Sequence, residues 1–131
     1  MNNLNDYTDK AISKIMSDNG AFFCFSNKQF DEKKKEGVKY CSLGAGLVAP
    51  KENAKTILQE VEKATDKGIA KDVKENGVKA IIWRELANYE CQIVMSCEDT
   101  INALEYYPIT EDEIKAEFKL YMAHCVKHDL F

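Results

Sequence analysis

The chain has 131 residues, 45% of them apolar and 31% charged, with 18 Lys+Arg against 22 Asp+Glu and a formal net charge of −4. That length suits one domain with a core of its own, and the apolar fraction excludes disorder along the whole chain. The mild acidity lacks the strongly basic balance of a dedicated nucleic-acid binder.

Residues 4–18 read as an amphipathic helix, because Leu4, Tyr7, Ala11, Ile12, Ile15 and Met16 recur at helical spacing. Asn19-Gly20 stops it. The apolar and aromatic run Ala21-Phe22-Phe23-Cys24-Phe25 suits a buried strand. Ser26 and Gln29 have capping-box spacing and predict a short helix over 27–36, anchored by Phe30 and stopped by Gly37. Val38 to Leu43 is a second strand, Gly44-Ala45-Gly46 interrupts it, and Leu47-Val48-Ala49 resumes an apolar run. Pro50 then opens a helix. Ala54, Ile57, Leu58, Val61 and Ala64 form its stripe over 51–65; Gly68 weakens the continuation, while Ile69, Ala70 and Val73 keep the period to a break at Asn76-Gly77.

Val78, Ile81, Ile82, Leu86 and Tyr89 predict a helix over 78–89. Cys91 to Met95 fits either a strand or a helix end. Ser96 and Asp99 have capping spacing ahead of Ile101, Ala103 and Leu104, and Pro108 closes that element. Thr110 with Glu113 is the clearest capping box, and it starts a helix with Ile114, Phe118, Tyr121, Met122 and Cys125 on one face. The expected fold is α+β, a single compact domain over residues 1–131, mainly helical, with a small two- or three-stranded sheet from residues 21–49. No linker, repeat or low-complexity stretch divides it.

The five cysteines are an odd number, and MNNLNDYTDK carries no apolar stretch of a secretory signal. Both predict a reducing, cytoplasmic setting with free thiols. No apolar run approaches the ~20 residues that span a bilayer, so no membrane role is expected. Arg84 is the sole arginine among the basic residues. Planar, bidentate phosphate recognition recruits arginine, so its scarcity argues against specific nucleic-acid recognition.

Gly44, Gly46 and Lys51 form a candidate anion or ligand loop, read as lying between a strand and a helix start. The full dinucleotide and P-loop patterns are missing, and a turn needing special backbone angles explains the same glycines. His124 and His128 stand one helical turn apart and, with Cys91 and Cys97, could make a Cys2His2 set. The five-residue gap between those cysteines is not knuckle spacing, so neither metal nor cofactor is expected. No signature marks a thiolate beside a base, and no catalytic residue is assigned.

Charge is segregated. Glu98 to Glu117 holds seven acids against Lys115, while Lys28 to Lys74 holds 11 lysines against eight acids. An acidic face suits electrostatic docking onto a basic partner.

The stretches Phe22-Phe23-Cys24-Phe25-Ser26-Asn27-Lys28-Gln29-Phe30, Gly37-Val38-Lys39-Tyr40-Cys41-Ser42-Leu43-Gly44-Ala45-Gly46-Leu47, Pro50-Lys51-Glu52-Asn53 and Trp83-Arg84-Glu85-Leu86-Ala87-Asn88-Tyr89-Glu90 carry a resemblance. Over roughly residues 20–107 the chain resembles a group of small accessory proteins of phages and mobile elements of Firmicutes-type bacteria. The resemblance implies no reaction and no site residue, only a setting inside a bacterial host. Together these readings predict a protein-binding accessory protein, an inhibitor of a host or defence protein, with Tyr106, Tyr107, Glu111, Asp112 and Glu113 at the interface. The alternatives are a small-ligand or phosphate binder, or an enzyme, built on Gly44, Gly46 and Lys51, and a nucleic-acid binder using the lysines of residues 28–74.

Overall fold

A computed structural model describes residues 1–131. Its elements run α1 (Leu4–Asp18), β1 (Phe22–Phe23), α2 (Asn27–Lys33), β2 (Tyr40–Gly44), β3 (Leu47–Pro50), a 3-10 turn (Lys51–Asn53), α3 (Ala54–Asn76), α4 (Val78–Asn88), α5 (Cys91–Val94), α6 (Glu98–Ala103) and α7 (Glu111–His128). The class is α+β, mostly helical with one small sheet, as the hydrophobic periods predict. The chain forms two compact units, Asn2–Gly68 and Ile69–Phe131, and α3 runs from the first into the second. The division falls inside a helix, where no linker composition marks it.

In the first unit the sheet is antiparallel in the order β1-β3-β2. β2 and β3 form a hairpin pairing Tyr40 with Pro50 at its open end and Gly44 with Leu47 at its tip, with an irregularity between Ser42 and Gly44. At the tip Gly44, Ala45 and Gly46 all have positive φ. A Cβ on Gly46 would also stand 2.3 Å from the Phe25 ring, so glycine serves both the turn and the aromatic lying over it.

β1 is an edge strand, and edge strands leave backbone groups open to unwanted pairing. Side chains of the Ser26–Lys33 segment close this one. Lys33 Nζ donates to the Phe23 carbonyl at 2.9 Å, and Phe25 N–H donates to Gln29 Oε1 at 2.7 Å. The Ser26 hydroxyl accepts from Gln29 N–H at 3.2 Å, so the predicted capping residues both start α2 and seal the edge. Phe22, Phe30 and Tyr40 pack as a trio with ring centroids 5.5–6.3 Å apart.

Gly68 is not a helix breaker. α3 continues through it because α1 comes close at that point: a Cβ there would stand 2.4 Å from Thr8 Cγ2 and 3.3 Å from Leu4 Cδ1. The break comes at Gly77, whose φ of 78° leads into α4.

In the second unit α4 buries Ile81, Ile82 and Leu86, and α7 buries Ile114, Tyr121 and Cys125. These two helices pack on each other. Cys91 to Met95, open between strand and helix from its sequence, is one short helical turn bracketed by the left-handed residues Glu90 and Met95.

In a free helix Gly68→Ala would gain about 1 kcal/mol. Here it is expected to lower stability by roughly 1–3 kcal/mol through overpacking. Thr8→Ala, which removes the clashing methyl, should restore most of the loss. Urea unfolding of the two single variants and the double variant checks this, and additive effects would refute the close approach.

Candidate functional site

The feature that organises the second unit is a buried charge pair. Asp72 follows Ile69 by three residues on α3 and is wholly buried. Arg84 on α4 grips it with a planar fork, Nη1 to Oδ1 and Nη2 to Oδ2, both at 2.9 Å. The Arg84 side chain is itself only 7% exposed. Its Nε donates to Glu85 Oε1 at 2.8 Å. Asn76 Nδ2 donates to Asp72 Oδ1 at 2.8 Å, and the Tyr107 hydroxyl donates to Oδ2. Every buried side-chain polar atom has a partner.

The electrostatics follow from this geometry. Burial pushes the Asp72 carboxyl up, but the bonds from Arg84, Tyr107 and Asn76, with the guanidinium charge, outweigh it and hold the carboxyl below its ordinary value of 3.8. Burial and the Asp72 carboxylate push the Tyr107 phenol well up, so it remains a donor. Arg84 stays charged, because Asp72 and Glu85 outweigh its own burial.

This network fixes the turn that follows α6. Tyr107 N–H donates to the Leu104 carbonyl at 3.0 Å, and Ile109 N–H to the Tyr107 carbonyl at 2.8 Å. Leu104 and Tyr107 turn inward, 2% and 7% exposed, while Tyr106 between them stands out at 78%. Thr110 Oγ1 accepts from Glu113 N–H at 3.1 Å, starting α7 as its capping box predicts. Glu111, Asp112 and Glu113 form the exposed first turn of that helix, where carboxylates also favour the helix dipole.

Of the five interface residues expected from sequence, Tyr106, Glu111, Asp112 and Glu113 are on the surface. Tyr107 is not: it belongs to the core, committed to Asp72. The expected ligand loop is also rearranged. Gly44 and Gly46 are at the hairpin tip rather than before a helix, and Lys51 follows the open end, where its N–H donates to the Lys39 carbonyl at 2.8 Å. Five residue steps along β3 separate it from Gly46, about 16 Å of extended chain, so Lys51 lies at the opposite end of the hairpin from the two glycines.

Cys91 and Cys97 are buried, and burial pushes both thiols up. Cys91 Sγ lies 3.4 Å from Thr100 Oγ1. The His124 and His128 rings are tilted against each other with centroids 4.4 Å apart, and His124 packs edge-on against Trp83 at 5.3 Å. No group of three His, Cys, Asp or Glu side chains converges to hold a metal ion.

Tyr106 therefore stands exposed above a buried charge network, next in sequence to the turn and cap that lead into the carboxylates of the first turn of α7. A model of a family of unknown function, DUF7659, matches residues 4–124, and the chain belongs to that family. No curated protein and no solved structure matches the chain.

Removing the guanidinium leaves a buried, unpaired carboxylate, so Arg84→Met is expected to cost about 3–5 kcal/mol. Tyr107→Phe loses one bond to a charged group and should cost about 1–3 kcal/mol. Because folding lowers the Asp72 pKa, its contribution is present above the ordinary carboxylate range and is lost as pH falls through 3.8 and below. Urea midpoints measured from pH 7 to pH 3 should therefore fall less steeply for Asp72→Asn, from a lower starting stability. Parallel curves for the two proteins would contradict the pairing.

Proposed function

We propose that the chain is a protein-binding accessory module whose contact surface is the turn at Tyr106 and the acidic start of α7. The observation that carries this reading is Tyr106 itself, 78% exposed on a turn that Tyr107, Asp72 and Arg84 hold from beneath. Exposed aromatics on a pre-ordered backbone lose little conformational entropy on binding and serve as interface anchors. Glu111, Asp112 and Glu113 supply a charged rim, which suits a partner with a basic surface. The likeness of the Phe22–Phe30 and Ser42–Gly46 stretches to accessory proteins of phages and mobile elements supports a finer reading: an inhibitor acting on a host or defence protein in the cytoplasm. No helix is long and apolar enough to cross a membrane.

The test is affinity purification of the tagged chain from its native host, with the captured protein then titrated in vitro. Tyr106→Ala should weaken that complex by about 2 kcal/mol or more. Reversal of Glu111, Asp112 and Glu113 to lysine should abolish it; Tyr106→Ala should melt like the parent, while the triple reversal melts somewhat earlier because it places cations at the N-terminus of α7. A captured partner that binds both variants with parental affinity would overturn the assignment.

A further inference from the structure

The first unit holds a cleft that the contact surface at Tyr106 does not use. It is about 470 Å³, within the range of small-molecule sites. Phe22, Tyr40 and Pro50 line it with apolar surface, and Asn53 adds an amide. The aromatic wall is rigid because Phe22 and Tyr40 meet edge-to-face at 5.6 Å and both pack on Phe30.

The charges lining it are placed by other bonds. Lys33 Nζ is anchored by the Phe23 carbonyl at 2.9 Å and stands 6.0 Å from the Phe22 ring centre. An ammonium held by one acceptor keeps two donors for a ligand. Lys35 is carried on a segment pinned by its own N–H donating to the Tyr40 hydroxyl at 2.9 Å. Beyond Val38 and Glu52, which both hollows share, a second hollow of about 430 Å³ adds Lys39 and Lys51. The trough thus presents four lysines against two carboxylates, Asp18 and Glu52. Asn53, which also lines the cleft, donates Nδ2 to the Asn19 carbonyl at 3.0 Å, and an amide so bonded keeps its oxygen as an acceptor.

We propose that this trough binds a nucleoside monophosphate, its base against the Phe22 and Tyr40 wall and its phosphate among Lys35, Lys39 and Lys51. A flat ring packs edge-on or offset against one of these aromatic side chains, and clustered ammoniums without arginine favour a phosphate taken as a point charge. The two carboxylates and the Asn53 oxygen match a ligand that also offers donors, namely ribose hydroxyls and exocyclic amines. Inorganic phosphate alone leaves them without partners. This moves ligand binding away from the hairpin-tip glycines while keeping Lys51.

Calorimetric titration of the full chain with adenosine, guanosine, cytidine and uridine monophosphates tests it, with inorganic phosphate and adenosine in separate arms. At least one nucleotide should bind more tightly than ~1 mM, and both fragments at least about tenfold more weakly than that nucleotide. Lys35→Gln combined with Lys51→Gln should weaken the nucleotide by about tenfold or more at an unchanged melting temperature, because both residues bond to the rest of the fold through their backbone groups. Lys28→Gln, outside the trough, should bind like the parent. The proposal is overturned by silence from all four nucleotides, by equal binding of inorganic phosphate, or by parental affinity in the double variant. A double variant that melts early is replaced by Lys39→Gln, with the same expected loss.

Discussion

A carboxylate with no exposed surface has to be matched by charge and by hydrogen bonds, or it cannot stay ionised. The second unit is arranged around that constraint. Asp72 accepts from Arg84, Asn76 and Tyr107, contributed by α3, α4 and the turn after α6. A buried pair of this kind contributes little net stability, because desolvation offsets most of its attraction. It does penalise every packing in which one member is left alone. The network therefore acts chiefly on which arrangement is adopted, and one consequence is that Tyr107 is drawn in while Tyr106 is left out.

The identity of the cation follows from the same geometry. Arg84 is the sole arginine in a chain whose other basic residues are lysines. An ammonium could meet one carboxylate oxygen as a point charge, whereas the guanidinium meets both in its plane and still reaches Glu85 through Nε. The scarcity of arginine elsewhere and its presence here are parts of one pattern: surface positions need only charge, and this buried position needs shape.

The first unit solves a different problem. Its sheet is small, and its fully buried hydrophobic side chains are Ala49 and Ile57. Close approach at Gly68, the Phe22–Phe30–Tyr40 trio and the side-chain closure of the β1 edge supply the order that a larger core would otherwise give. The same short-range devices leave a lysine-lined trough on its surface, because the Lys33 and Tyr40 side chains that brace the structure also face the cleft.

Local physics was legible in the sequence by itself. Apolar residues at helical spacing place α1, α4 and α7, the Ser26 and Thr110 caps start α2 and α7, and the Gly44–Gly46 interruption lies between two strands, because each depends on residues a few positions apart. The acidic surface of α7 was equally open to reading, since carboxylates ahead of an apolar stripe stay in water. What only the tertiary structure decided is whatever depends on distant partners. Tyr106 and Tyr107 are identical neighbours, and an acceptor 35 positions away separates a surface residue from a core one. Gly68 looks like a weak point in a helix until α1 is packed against it. Asp72 looks like one more charge on a solvated face until Arg84 closes over it, since burial is a property of the assembled fold and leaves no periodic trace in a single polar residue.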